Sequence, residues 1–531
     1  MLNNRIPAIR NQALISVGLF ILALWAAWEA AGEVISGDTR AMEFAVLGFA
    51  ACAIAVTILR SWRTGFYFFL VWMLFEDLAR KFMANNTALF FGKDILLLFV
   101  YISLFNDVRH GRAKAFRPPF LFFLSLFFWL GVLQVFNQNS PSVLYGLLGV
   151  KTYFYYIPLM FVGYALVQTD EDLEKFLVVN VGLAGVIGAL GVAQGILGNS
   201  FLNPAKLSPE LQDLGDLSKA SPLTGQVFNL PDSVFVSSGR FAAYLSVVFI
   251  LAVGTAGYLI LHTKRYRKLT FVTIGVLGVA TLLSGSRTAL VCVASSTLVL
   301  AAGFLWGAPW RWKQAHRLVK VIRRSFIVGA LGLAAIFLIF PGEAGSRLAF
   351  YTETLSPESS TYAGTSRAWD YPIINLEDAL RNSNWIIGNG IGTDSLGAQY
   401  VSRVIGSHPL LFGVEEGYGT MIAEMGILAP FLWLLWTAAL VYYLWKIVRK
   451  LRETRLFPIG FACFWYAVML LYPLTYITMA HYQNYVTNVY LWLCVGIIFA
   501  LPGIAARPAA AAATRVALVP EPPPPSPVVS A

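Results

Sequence analysis

The chain has 531 residues, of which 57% are hydrophobic and only 13% are charged, and its net charge is +11. A mean hydropathy of +0.66 excludes a protein built only from soluble domains, in which about 25% of the residues carry charge. The basic excess lies mostly in loops on one side of the expected bilayer, so it is a topology signal and we expect no nucleic-acid partner.

Apolar runs that match the thickness of a bilayer recur along the whole chain, since about 20 helical residues cross the hydrocarbon core. They predict an all-α polytopic integral membrane protein with about 12–14 transmembrane helices. The predicted spans are 12–31, 41–60, 64–77, 90–106, 118–136, 151–167, 176–197, 241–261, 269–284, 288–307, 325–341, 418–445, 457–479 and 485–503. The third and fourth are weak because charged residues crowd between them, and they form either two spans or one re-entrant hairpin.

Positive charge in the loops sets the predicted orientation. With a cytoplasmic N-terminus, the basic clusters at 60–63, 109–117, 264–268, 311–324 and 446–455 all fall on the cytoplasmic side. The acidic segment 170–174 is an exception of little weight, because acidic residues contribute weakly to orientation. Both termini are therefore expected in the cytoplasm.

The opposite side carries two long segments, 198–240 and 342–417, which are rich in Gly, Pro, Ser and Asn. We expect them to belong to one helical domain over 1–506 and to contain the functional groups. Residues 507–531 carry an alanine run and EPPPPSP, a composition that predicts a disordered cytoplasmic tail. The four cysteines lie in apolar runs and predict neither a disulfide nor a zinc site.

Two arginines stand at the outer ends of predicted helices. Arg240 in SSGRFAAY precedes one helix, and Arg287 in LLSGSRTALV lies in a short turn between two helices. Backbone amides and a guanidinium in such a turn suit a phosphate group. The alternatives are that Arg287 caps the turn or contacts lipid headgroups, and that Arg240 is an ordinary loop charge.

Potential proton acceptors follow where the second long segment returns to the membrane. His408, Glu415 and Glu416 lie there, and an imidazole or carboxylate beside arginines can deprotonate a hydroxyl. The alternatives are a solvated loop residue for His408, and either a solvated turn or charges at a helix N-terminus for Glu415 and Glu416. Glu424 would be costly facing lipid, so we expect it to face the bundle or to pair with an arginine, and we count it among the candidate substrate-binding residues.

Weaker candidates for contacts with phosphate or glycan are Lys151, Arg367 and Arg403, although the tyrosines around Lys151 favour an interfacial anchor at that position. His481 in MAHYQNY is another outer histidine and receives no role. The sequence has no metal-ligand cluster, phosphate loop or Gly-x-Ser-x-Gly motif, so we expect neither a metal nor a cofactor.

In chain order, a many-helix bundle, the SGSRTA turn, a long external loop and AEMGILAPFLWLL resemble the O-antigen ligase and O-antigen polymerase superfamily of bacterial envelope glycosyltransferases. The resemblance covers roughly residues 65–500. It implies a GT-C-like membrane fold that transfers a glycan, without a metal, from a polyprenyl-pyrophosphate carrier to a glycan or lipid-core acceptor. It also implies a bacterial inner-membrane location, a periplasmic active face and polysaccharide assembly proteins as partners.

Arg287 matches the Ser-Arg turn of that superfamily, and Arg240 matches its upstream arginine by position. The third element differs, because Glu415 and Glu416 occupy the place of the family's His-Asn pair and His408 lies seven residues earlier. We therefore predict Glu415 or Glu416, rather than His408, as the base. The same difference favours a polymerase of capsule or exopolysaccharide over a ligase to lipid-A core.

Two other functions remain open at this point. A flippase or other transporter of lipid-linked oligosaccharide would suit a bundle of this size, but it would be expected to carry ionisable residues deep in several spans. A scaffold of envelope assembly would need no catalytic arginine.

Overall fold

The computed structural model describes residues 53–83, 85, 87–204, 218–310, 320, 323–324, 327, 334, 338–339, 341–362, 364, 366–406 and 412–517. The predicted span 12–31, most of 41–60 and 325–341, and His408 therefore lie outside the described residues.

In the described part, the chain is mostly helical. The helices are α1 Trp62–Phe82, α2 Thr87–Arg109, α3 Leu121–Gln134, α4 Val143–Phe154, α5 Leu159–Leu166, α6 Asp170–Leu197, α7 Ser238–His262, α8 Arg267–Leu283, α9 Arg287–Gly307, α10 Pro341–Leu355, α11 Tyr371–Arg381, α12 Ala398–Ile405, α13 Gly417–Met425, α14 Leu428–Lys450, α15 Phe457–Met469, α16 Thr475–Ile477, α17 Ala480–Gln483 and α18 Tyr485–Ala517. A residue range 53–60 before α1 is also helical.

Seven helical segments of the described chain are long and apolar enough to cross a membrane. They are Leu89–Arg109, Asp170–Leu197, Ser238–His262, Arg287–Gly307, Leu428–Lys450, Phe457–Ile477 and Tyr485–Ala506. The all-α, polytopic membrane class is thereby confirmed.

Three details depart from the sequence-based outline. The predicted span 151–167 is divided between α4 and α5, because Pro158 at the junction has no N–H to continue a helical ladder. The first long segment contains a small antiparallel hairpin of β1 Ser218–Ala220 and β2 Val227–Asn229. The last helix continues to Ala517, inside the region expected to be a tail, because alanine is the strongest helix former.

The chain divides into two compact units, one of Met1–Trp72 with Phe91–Arg112, and one of Met73–Phe90 with Ala113–Ala531. In the first unit, Ser103 donates to the carbonyl of Leu59 at 3.2 Å. The second unit contains the helices from α3 onward and all the residues of the candidate site described below.

At one end of the second unit, loops that the sequence places on the same side of the membrane contact one another. Arg455 donates to Asp170 at 2.6 Å, and the backbone N–H of Glu453 donates to the carbonyl of Gly307 at 2.8 Å. Arg267 caps the last carbonyls of α7. We call this the basic end, and its contacts agree with the loop assignment made from charge.

The acidic segment that departed from the charge pattern is the first turn of α6. Thr169 and Asp172 form a reciprocal capping box there. Carboxylates at a helix N-terminus are stabilised by the unpaired amides and the helix dipole. The position of these acidic residues therefore follows from the start of α6, and it gives no information about the orientation of the chain in the membrane.

The opposite end of the second unit contains the described parts of the two long segments 198–240 and 342–417. The second segment is largely helical, and its helix α10 places Arg347 in the interior. The Arg347 guanidinium donates to the carbonyls of Leu283, Gly195 and Asn229 at 3.1, 3.3 and 2.7 Å. One buried side chain thus ties α10 to the ends of α6, α8 and β2.

Candidate functional site

Arg240 lies in the first turn of α7, at the end of the unit away from the basic loops. Ser237 caps this helix by accepting the N–H of Arg240. The guanidinium Nη1 donates to both carboxylate oxygens of Asp77, at 3.0 and 2.8 Å, and lies over the ring of Tyr485. Among the described residues, the Arg240 side chain donates hydrogen bonds only through Nη1. Its Nε and Nη2 donors therefore remain for a ligand.

Asp77 is the centre of a buried polar group near the end of α1. Besides Arg240, its carboxylate accepts from Arg80 at 3.0 Å, from the Tyr485 hydroxyl at 3.2 Å and from the N–H of Val236 at 3.3 Å. Its side chain is fully buried. A carboxylate with this many donors holds its arginines in fixed positions, because leaving them would expose unpaired charge in the interior.

Arg287 is the first residue of α9 and follows a tight turn. Gly285 has φ +65°, and a Cβ at this position would lie 2.5 Å from Leu230 and 2.8 Å from Phe228. Ser286 caps α9 by accepting the N–H of Ala289. The turn therefore needs glycine, and it places the Arg287 guanidinium over the ring of Phe350, at 5.6 Å from its centroid.

A cavity of about 210 Å³ lies between the two arginine-bearing helix starts. Gly239 next to Arg240, and Ser286 and Thr288 on either side of Arg287, are part of its wall. The complete wall is Gly239, Ala242, Ala243, Ser246, Val247, Ile250, Ser286, Thr288, Ala289, Cys292, Tyr466, Met469, Leu474, His481 and Thr487. The polar residues lie mainly at helix starts, and small or apolar side chains line the interior.

His481 adds an imidazole to the same cavity wall. It belongs to the short helix α17, whose following residues begin α18, and the Thr487 hydroxyl bonds to its carbonyl. Burial lowers the pKa of His481 to about 4, because desolvation disfavours the imidazolium. The ring is therefore neutral at pH 7.

The three predicted carboxylates, Glu415, Glu416 and Glu424, lie at the two ends of α13. The carbonyl of Glu415 accepts the N–H of Met479, just before α17. Glu416 caps α13, and its two oxygens accept the N–H groups of Tyr418 and Gly419. Burial raises the pKa of Glu416 to about 7, although these two bonds oppose the shift. Glu415 is exposed, and its backbone bonds to Asn375 and Met479.

Glu424 is fully buried at the end of α13. Its carboxyl accepts from the Tyr153 hydroxyl at 2.8 Å, from Ser395 at 2.8 Å and from the N–H of Asp394 at 3.0 Å. Burial raises its pKa to about 7. Glu424 therefore faces the bundle, and the groups that donate to it are a phenol, a hydroxyl and an amide.

Asp394 is a further acidic residue, close to Glu424 and Glu415. Burial, with repulsion from Glu424 and Glu415, raises its pKa to about 8. Its Oδ2 atom is buried without a hydrogen-bond partner among the described residues. At neutral pH the Asp394 carboxyl therefore stays protonated.

Lys151 and Arg403 meet at a stack of two aromatic rings. Phe90 and Tyr400 stack with centroids 6.3 Å apart. The Lys151 ammonium lies 4.5 Å from the Phe90 centroid, and the Arg403 guanidinium lies 5.9 Å from that of Tyr400. Arg80 also lies over Phe90, at 4.8 Å. This basic-aromatic group brings two of the three weaker predictions together.

The remaining predicted residues are placed only in part. Arg367 belongs to a π-helical turn, Ser366–Asp370, and its side chain lies outside the described residues, as does the whole of His408. The sequence did not single out Asp77, Asp394 or His481 as site residues. Asp77 had one usable signal, an acidic residue in an apolar helix, which indicates a buried ion pair.

The segment 479–488 connects these groups. Its Tyr485 bonds to Asp77, its His481 lines the cavity, and its Gln483 donates to Ser395 at 3.1 Å and to Tyr153 at 3.3 Å. Both partners of Gln483 also bond to Glu424. A single ordered segment therefore joins the arginines, the cavity and the carboxylates.

No group of three or more His, Cys, Asp or Glu side chains in the described ranges is placed to hold a metal ion. Compared with protein-family models, with curated proteins and with solved structures, the chain gives no match. The resemblance to the O-antigen ligase and polymerase superfamily therefore rests on the sequence motifs alone.

Proposed function

We propose that this protein is a metal-independent membrane glycosyltransferase that polymerises or ligates a surface polysaccharide. Its donor is a glycan on a polyprenyl-pyrophosphate carrier, and its acceptor is a glycan or a lipid core. The observation that carries the proposal is that the chain neighbours of Arg240 and Arg287, the two arginines singled out by the family motifs, line one cavity.

The electrostatics of the cavity favour an anionic ligand. The helices α7, α9 and α18 all begin beside it, and the N-terminal end of each helix carries partial positive charge. The guanidinium groups of Arg240 and Arg287 follow in the first turns of α7 and α9, and that of Arg240 is paired with Asp77. A diphosphate meets these requirements, because it offers several oxygens to donors that point in from different helices.

The interior of the cavity suits a hydrocarbon chain. Its walls include Ala242, Val247, Ile250 and Met469. At about 210 Å³, it is smaller than the ~300–1,000 Å³ of pockets that enclose whole ligands. It therefore holds the part of the carrier next to the diphosphate, while the remaining chain lies in the bilayer.

The chemistry follows from this placement. Cleavage of the bond between the sugar and the diphosphate leaves negative charge on the leaving oxygen. Arg240 and Arg287 stabilise that charge as it develops, and fixed donors of this kind are worth about 10²–10³ in rate each. The basic-aromatic group of Lys151 and Arg403 supplies stacking and charge for the glycan.

A transporter of the same lipid-linked glycan is the less favoured function. In the seven apolar helices of the described chain, every Asp, Glu, Lys and Arg lies within about two turns of a helix end. Transport sites are usually built from ionisable groups near the bilayer midplane. The proposed location is the bacterial inner membrane, with a periplasmic active face and envelope polysaccharide assembly proteins as partners.

The proposal is tested with the purified protein in lipid nanodiscs. The donor is the lipid-linked glycan extracted from a host strain that lacks this protein, and the assay contains EDTA. We expect longer lipid-linked glycans if the protein is a polymerase, or glycan joined to a lipid core if it is a ligase. Absence of both products from an active preparation of donor and acceptor would refute the proposal.

A further inference from the structure

The described wall of the cavity contains one imidazole, which is neutral at pH 7 and can therefore accept a proton. Among its described residues, His481 is the only imidazole or carboxyl. The other titratable groups in the wall, Cys292 and Tyr466, are a thiol and a phenol, whose ordinary pKa values lie well above 7. The imidazole of His481 has no hydrogen-bond partner among the described residues.

The carboxylates near the cavity are already engaged. Both oxygens of Glu416 hold the first turn of α13, and both oxygens of Glu424 accept hydrogen bonds from α4 and the 394–395 turn. A base must lie within hydrogen-bond reach of the hydroxyl that it deprotonates. Neither glutamate is in the cavity wall, whereas His481 is.

We propose that His481 is the general base of the reaction and takes the proton from the attacking hydroxyl of the acceptor. This inference rests on the proposed glycosyl transfer. It replaces the prediction of Glu415 or Glu416 as base, because the structure gives Glu416 a capping role and places Glu415 in solvent.

The step balances without any further reactant. The acceptor O–H proton moves to an imidazole nitrogen of His481, and the acceptor oxygen forms a bond to the anomeric carbon of the donor sugar. The bond between that carbon and the diphosphate oxygen breaks, and its electron pair leaves with the carrier diphosphate. The imidazolium then returns its proton to solvent or to the departing diphosphate.

Bound diphosphate makes His481 a stronger base than it is in the empty cavity. Burial lowers its pKa to about 4 in the absence of an anion. A nearby negative charge favours the imidazolium and raises the pKa again. Burial alone accounts for the lowered pKa of the empty site. The titratable groups on the elements packed around His481 are Cys292 and Tyr466 in the wall, Glu415 and Glu416 before α13, and Arg240 and Arg287 at the starts of α7 and α9.

The test compares His481→Gln and His481→Ala with wild type in the nanodisc assay with lipid-linked donor from the deletion strain. We expect kcat to fall about 10²–10⁴-fold in both variants, with the KM for donor within about threefold. Added imidazole should restore part of the rate to His481→Ala, which a purely structural histidine would not show. His110→Gln, an exposed histidine, is the matched control and should keep full activity.

A second measurement uses the unaltered protein. We expect the rate to fall on the acidic side, and the fall in kcat to occur at higher pH than the fall in kcat/KM. The first reports the complex with diphosphate and the second the free protein, in which the pKa is about 4.

The outcomes are distinct. If the wild type transfers glycan and His481→Gln keeps full activity, the role of His481 is overturned and the proposed function stands. The same holds if the kcat of the wild type does not fall at acidic pH. Absence of transfer by the wild type would instead overturn the proposed function and this inference with it.

Discussion

Asp77 and Arg240 form an ion pair with Nη1 and Oδ2 2.8 Å apart, which joins the end of α1 to the beginning of α7. The pair is asymmetric. Asp77 also accepts from Arg80, Tyr485 and a backbone amide, whereas the described contacts of the Arg240 side chain with an acid are with Asp77 alone. Removing one partner is therefore not equivalent to removing the other.

Arg240→Gln is expected to abolish activity while preserving the fold, because Asp77 keeps Arg80 as its counter-charge. Asp77→Asn is expected to lower both the activity and the stability of the fold, because it leaves Arg80 and Arg240 without the anion that they share. Breaking a buried pair in this way costs about 3–5 kcal/mol. The unfolding temperature of each variant in detergent reports its stability, and the transfer rate reports its activity, so the two measurements separate an effect on activity from an effect on the fold. Equal destabilisation by both substitutions would contradict this account.

Filling the cavity is expected to block the donor without disturbing the fold. A Cβ at Gly239 meets nothing within 4 Å and Gly239 lines the cavity, so the backbone accepts Gly239→Leu and the added side chain starts at the cavity wall. We expect at least a tenfold rise in KM for donor, or loss of activity, because the leucine occupies space that the diphosphate needs. Gly275→Leu is the matched control, since its Cβ position is equally open and lies on α8. Normal kinetics in Gly239→Leu would show that the donor does not use this cavity.

The raised pKa of Asp394 predicts a loss of stability with rising pH. The folded protein keeps this carboxyl protonated up to about pH 8, whereas the unfolded chain releases the proton above about pH 4. The folded state therefore binds more protons in this window, and its stability falls as pH rises from about 4 to 8.

Asp394→Asn removes that dependence. We expect its unfolding midpoint to exceed that of wild type by a few degrees at pH 8 and to match it at about pH 4. The exposed Asp378→Asn is the control and should follow the wild-type curve. A parallel shift at all pH values would mean that packing, rather than protonation, is responsible.

The sequence predicted much of the fold, because apolar length and loop charge are local properties. The helices that carry Arg240 and Arg287 begin close to their predicted bounds, and the basic loops do meet at one end. The break between α4 and α5 was also visible as Pro158, although the prediction treated that region as one span.

The site could be predicted only in part, because its decisive contacts join distant residues. Asp77 lies 163 positions from Arg240, in a helix whose charges weakened its assignment as a span. His481 lies in a short polar segment with no motif of its own, and its place in the cavity depends on how α18 packs against α7 and α9. Glu416 illustrates the reverse case, because its capping role was one of the two alternatives that the sequence offered.

The measurement that tests the central claim most directly is an analysis of lipid-linked and surface glycans in the host that carries Arg287→Ala, at a protein level matched to wild type. Arg265→Ala is the control, because this arginine is exposed and lies at the basic end, beyond the end of α7 opposite to Arg240. We predict normal glycans in the control and a roughly 10²–10³-fold slower transfer in Arg287→Ala.

The accumulated species identifies the reaction. Single repeat units on the outward-facing carrier indicate a polymerase, and long chains held on the carrier with a bare acceptor indicate a ligase. Both results agree with glycosyl transfer at the cavity between Arg240 and Arg287. Repeat units trapped on the inner face, or glycans unchanged from wild type, would contradict it.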